Sequence, residues 1–203
     1  METTEQKILA KLKKAGRGKV FFPDYFAGIA SSDSIRKSLE LLTTKGEIIR
    51  VARGIYCYPK IDEELGLGVL YPSVDEIVGA IAKRDHMKVV PTGVHAQNLL
   101  GLSTQVPMNF VYLTNGWSRQ ITVLNNITVK LKQTALKNLE FNSQLAMLIT
   151  FALKDIGKDN VTEEQLTRIS QLLHNEQQSV VEKDLTLMPV WIRKIVKAAY
   201  GQE

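Results

Sequence analysis

Along residues 31–59 the spacing of apolar positions changes period, from that of a helix to that of strands. Ile35, Leu39 and Leu42 recur at i, i+4 and i+7 and therefore share one helical face. Ser32 or Asp33 can cap the first turn, because a short polar side chain accepts from the free backbone N–H groups there. Lys45 and Gly46 close the helix, with a cation near its negative end and a glycine able to turn left-handed. Residues 47–51 and 55–58 are rich in β-branched and aromatic side chains, and Arg53-Gly54 suits a tight turn between them. A helix followed at once by an arginine-tipped hairpin predicts a winged helix-turn-helix.

The same reading extends in both directions. Residues 3–14 form a helix in which Thr3 and Gln6 make a capping box and Ile8, Leu9, Leu12 and Ala15 share a face. A break at residues 16–19, a short strand at 20–22 and a brief helix from Pro23 complete the order helix, strand, helix, helix, two strands. Residues 61–70 are acidic and interrupted by glycine, as in a linker. Beyond it Ser73 and Glu76 form a second capping box, opening a helix that runs to about residue 85. A strand ends near Pro91, and residues 92–100 form a helix closed by Gly101. Residues 109–114 read as a strand, Asn115-Gly116 as a hairpin turn and 120–131 as a hairpin around Asn125-Asn126. Residues 143–156, 162–174 and 189–200 are helical, with a shorter helical piece between the last two. The expected class is α+β: a winged helix-turn-helix at 1–60, a linker at 61–70, and a mixed α/β domain at 71–203 that ends in helices.

Charge sharpens this division. Residues 1–60 carry 12 Lys and Arg against 6 Asp and Glu, whereas the remainder carries 14 against 15. A basic N-terminal segment on a near-neutral remainder points to one polyanion-binding module beside a part with another kind of partner. With Ile35, Leu39 and Leu42 turned inward, Asp33, Arg36, Lys37, Glu40 and Thr44 point outward. Such a face offers cations for phosphates and guanine edges and smaller polar groups for other contacts. Arg50 and Arg53 lie at or near the hairpin tip, where the fold itself needs no guanidinium, and Lys19 adds a further basic position.

Little else suggests chemistry. His86, His95 and His174 lack metal-ligand spacing, and no cofactor motif is complete, so neither a metal nor a cofactor is expected. Asp75 and Glu76 are explained by capping better than by metal binding, and no catalytic residue is expected. His95, between Val94 and Ala96, reads as a packed residue. One cysteine, Cys57, excludes an internal disulfide framework and fits a reducing cytoplasm. No apolar run approaches a membrane span, and the first residues lack the apolar stretch of a signal peptide. Arg119 with Lys130 and Lys132 suits a phosphate or a solvated face about equally. In the last helix Ile192, Ile195, Val196 and Ala199 gather on one side, and Arg193, Lys194 and Lys197 gather on the other.

Three stretches carry a family resemblance. Residues 96–107, AQNLLGLSTQVP, followed by 111–119, VYLTNGWSR, closely resemble the AbiEi family of bacterial type IV antitoxins. The hairpin VARGIY at 51–56 is similar to the wing of that family. The resemblance implies an N-terminal winged helix that represses its own operon, so that operator DNA is one partner. It also implies a C-terminal domain that neutralises a nucleotidyltransferase-like toxin, without direct contact being required. DNA-binding positions carry over to Arg36, Lys37, Arg50 and Arg53, while Glu40 stands where other members are basic. Read without the resemblance, the long motif is structural: Gly101 ends a helix and Pro107 halts strand pairing. The alternative function is a one-component transcription factor whose second domain senses a small molecule.

Overall fold

The computed structural model describes residues 2–201. The chain forms two compact units: residues up to Arg84 together with Thr122–Asn126, and Asp85–Ile121 together with the chain from Ile127 onward.

The first unit opens with α1 (Thr4–Ala15), whose first turn is closed by the expected reciprocal capping box of Thr3 and Gln6. Next come β1 (Lys19–Phe21), a single 3-10 turn at Pro23–Phe26, and α2 (Ser32–Thr44). The N-cap of α2 is Ser31, not the expected Ser32 or Asp33: its Oγ accepts from the Ser34 N–H at 3.3 Å. β2 (Ile49–Ala52) and β3 (Ile55–Tyr58) form the hairpin, and the antiparallel sheet runs β1-β3-β2. Ala52 faces Ile55 across the two-residue turn, and Gly54 takes φ +71°, which its lack of a Cβ permits. Val51 is an extra residue on its strand, a bulge between Arg50 and Ala52, and its carbonyl accepts from the Leu124 N–H at 2.9 Å. The core gathers Ile8, Leu12, Phe21, Phe26, Ile35, Leu39, Leu42 and Ile48 between the two helices and the sheet. The stretch expected to link two domains is itself a ribbon, β4 (Lys60–Asp62) with β5 (Gly68–Leu70). It leads into α3 (Val74–Arg84), which opens with the Ser73–Glu76 capping box and packs beside β1.

The second unit is built around a four-stranded sheet of order β6-β7-β9-β8. Its elements begin with β6 (Val89–Pro91), α4 (Gly93–Leu100), β7 (Asn109–Thr114), β8 (Arg119–Val123) and β9 (Ile127–Gln133). Helices α5 (Gln144–Ile156), α6 (Glu163–His174), α7 (Gln178–Asp184) and α8 (Val190–Ala199) follow. Asn115-Gly116 is not the turn of a hairpin, because β7 pairs in parallel with β9, Asn109 opposite Thr128 through Thr114 opposite Gln133. Neither Asn115 nor Gly116 takes a positive φ, unlike Gly54 in the β2–β3 turn. The Asn115 side chain instead accepts from the Lys88 N–H at 2.7 Å. The helical core runs through Ala96, Leu100, Ile149, Leu153, Ile169, Leu173, Ile192 and Val196. The fold is α+β, and no helix among the described residues is long and apolar enough to cross a membrane.

Candidate nucleic-acid interface

The apolar stripe of α2 fixes what its other face presents. Ile35, Leu39 and Leu42 are buried, and Asp33, Arg36, Lys37, Glu40 and Thr44 are all exposed. The short hairpin then returns beside this face. Arg36, Glu40, Thr43 and Thr44 of α2 line one groove with Arg50, Arg53, Gly54 and Tyr56 of the hairpin, enclosing about 550 Å³. Four of the six expected residues therefore meet in one concavity: Arg36, Thr44, Arg50 and Arg53.

The charges in this groove are largely uncommitted. Arg36 has only a loose contact with Asp33 at 3.9 Å, and both side chains are more than 70% exposed, at 72% and 84%. An ion pair so open to water contributes little. Among the described residues neither Arg50 nor Arg53 enters an ion pair. Glu40 is the one acid on the groove wall, and three guanidiniums outweigh it. Thr44 donates its hydroxyl proton to the Glu40 carbonyl at 3.1 Å, leaving the oxygen as an acceptor toward the groove.

Two expected residues lie outside. Lys37 is exposed on α2 but does not line the groove. Lys19 is half-buried, with its ammonium 3.8 Å from the centre of the Tyr25 ring, a cation–π contact that engages it within the unit. Tyr56, Thr43 and Pro23 line the groove without having been expected there. Tyr56 sits in a strand whose four residues are all buried, so no alternation marks it as facing the groove.

The expected cations of the second unit are dispersed. Arg119 pairs with Asp85, so its charge is compensated. Lys130 and Lys132 lie two apart on β9, half-buried and exposed respectively. On α8, Arg193 does not join an outer stripe. It turns back to donate from Nε to the Leu185 carbonyl at 2.9 Å and from a terminal nitrogen to the Met188 carbonyl at 3.4 Å. Lys194 is exposed and Lys197 half-buried, so two lysines remain of the three cations. His95 is buried, its ring 4.7 Å from that of Phe110 and 5.3 Å from that of Tyr112.

The long motif of residues 96–107 is accounted for by packing. Gly101 ends α4 in the left-handed conformation, φ +70°. Arg168 and Gln165 of α6 then donate to the Leu100 and Leu102 carbonyls at 3.1 and 3.3 Å, satisfying groups that a helix end leaves open. Asn98 reaches the carbonyls of Ser103 and Gln105 at 3.3 and 3.4 Å, pinning the loop that follows.

Comparison with known families matches residues 7–181 to a family of unknown function, DUF6088, and the chain belongs to that family. No curated protein matches the sequence.

Proposed function

We propose that the chain is a DNA-binding autorepressor and the antitoxin of a nucleotidyltransferase-like toxin, with its N-terminal unit acting as a winged helix-turn-helix. The observation that carries the DNA-binding half is the groove where Arg36 and Thr44 of α2 meet Arg50 and Arg53 of the hairpin. In this reading α2 enters the major groove and the β2–β3 hairpin is the wing. Arg50 and Arg53 neutralise phosphates, and Arg36 reaches a phosphate or a guanine edge. Lys37, exposed beside them, extends the basic face along the helix. Glu40 biases the choice of base, since a carboxylate accepts from cytosine and repels phosphate.

The antitoxin half rests on the resemblance of residues 96–107 and 111–119 to AbiEi proteins. Neutralisation is assigned to the second unit, where the expected cations Lys130, Lys132, Lys194 and Lys197 enter no ion pair among the described residues. A reporter driven by the gene's own promoter, in cells that also express a toxin from an adjacent frame, tests both halves. The wild type should repress the reporter and restore growth. Arg50→Ala/Arg53→Ala should lose repression and keep rescue. Repression by that variant equal to wild type would remove the groove from the mechanism, and unrescued growth with wild type would remove the antitoxin role.

A further inference from the structure

The β2–β3 hairpin carries an irregularity beside its groove. Ile49 stands opposite Cys57, Arg50 opposite Tyr56 and Ala52 opposite Ile55, with Val51 bulged between. Residues opposite one another across a sheet share a face. Arg50 and Tyr56 accordingly share one, and both line the groove that α2 borders. Were Val51 drawn into the ladder, Arg50 would come to stand opposite the buried Cys57, on the face away from Tyr56. The apolar pattern of the strand fits that slipped register too, because Ile49 and Val51 would then stand opposite Tyr58 and Tyr56. Alternation within β2 therefore does not hold the bulge in place.

A hydrogen bond from a distant turn meets it instead. The Val51 carbonyl accepts from the Leu124 N–H at 2.9 Å. Val51 is buried, so a carbonyl left there without a partner would be costly. Leu124 belongs to Thr122–Asn126, the segment that ends β8 and turns into β9, and this segment is part of the first compact unit. The turn holds two consecutive non-glycine residues in left-handed backbone, Leu124 at φ +47° and Asn125 at φ +72°. A leucine in that conformation is strained, and such strain persists where the surroundings fix it. A strained turn and a bulge thus meet in one bond, at the residue next to Arg50.

We infer that the backbone N–H of Leu124 pins the Val51 bulge and so keeps Arg50 on the groove side of the hairpin. Leu124 is a positioning residue, acting through the register of β2. The register stands apart from the DNA-binding reading, whereas its consequence for DNA affinity rests on that reading.

Nuclear magnetic resonance of the full chain without DNA, followed by titration with promoter DNA, tests the two steps separately. Cross-strand Overhauser contacts should join Arg50 to Tyr56 in wild type. Leu124→Pro lacks the N–H and cannot hold a positive φ, so the contacts should move to Arg50 and Cys57. Leu124→Asn keeps the N–H and tolerates left-handed backbone, so it should match wild type; this separates the backbone bond from packing of the leucine side chain. Leu124→Pro should also bind the promoter about tenfold more weakly or worse, the loss of one charge-assisted contact, with a salt slope flatter by about one unit. Should Leu124→Pro lose its fold, the α-hydroxy acid analogue of leucine at position 124 decides, since its ester removes the N–H and leaves φ free to stay positive. A moved register with unchanged promoter affinity upholds the pin and removes Arg50 from DNA contact. Arg50 still opposite Tyr56 in the folded proline variant or in the ester chain overturns the inference, and so does a register that moves equally in Leu124→Asn.

Discussion

Asp184 is fully buried, and its carboxylate accepts from the backbone N–H of Asn142 at 2.8 and 3.0 Å, from the Asn142 side chain at 2.7 Å and from the Ser143 N–H at 2.7 Å. Ser143 in turn caps α5 and donates its hydroxyl to Glu176 at 3.0 Å. Asp184→Ala would orphan several buried donors, a change worth about 2–4 kcal/mol, and should lower the melting temperature by roughly 5–15 °C. An unchanged melting curve would show that the clamp carries no such weight. Cys57 makes a second residue-scale prediction. Burial first, and the Glu76 carboxylate second, push its thiol from 9.0 up to about 11, against a smaller opposing pull from Lys60. The folded chain thus keeps a proton that the unfolded chain releases between pH 9 and 11. That stability is complete below pH 9 and lost as pH rises to about 11, amounting to ~2–3 kcal/mol. Urea midpoints should show the loss in wild type and its absence in Cys57→Val; parallel declines in both would contradict the assignment.

At the scale of elements, the hairpin and the last helix were read with different success. The capping boxes at Thr3 and Ser73, the left-handed Gly101 and the turn at Arg53-Gly54 follow from chemistry within four residues, and all stand as the sequence implies. The parallel pairing of β7 with β9 does not, because it is decided by where Lys88 and Gln133 bind the intervening loop, 27 and 15 residues from their partners. Arg193 escaped for a similar reason. A helical wheel places it with Lys194 and Lys197, but the Leu185 and Met188 carbonyls of the preceding turn are within its reach. Arg193→Ala should therefore cost about 1–3 kcal/mol, the value of charge-assisted bonds to carbonyls, whereas Lys194→Ser should stay within about 0.5 kcal/mol. Chemical denaturation separates the two, and equal midpoints would return Arg193 to an outer stripe.

For the whole molecule, the division of charge between residues 1–60 and the remainder is legible in composition, but the extent of the first compact unit is not. α3 belongs to that unit, with Ile77, Val78 and Ile81 buried, and the Arg84 guanidinium lies 4.2 Å from the centre of the Phe22 ring. A fragment ending at Arg84 should accordingly unfold cooperatively and melt higher than one ending at Lys60; the reverse order would deny α3 a place in the unit. The groove itself was half legible. Periodicity exposes Arg36 and Thr44, and the turn residues expose Arg53, but only the folded hairpin brings Arg50 and Arg53 to face them. The central claim is that this groove binds operator DNA, and the most direct test is affinity for the gene's own promoter as a function of salt. Each phosphate neutralised should contribute about −0.9 to the slope of log affinity against log salt. Arg50→Ala/Arg53→Ala should bind more weakly and with a slope flatter by about two units. Identical affinity and slope for wild type and the double variant would contradict the account.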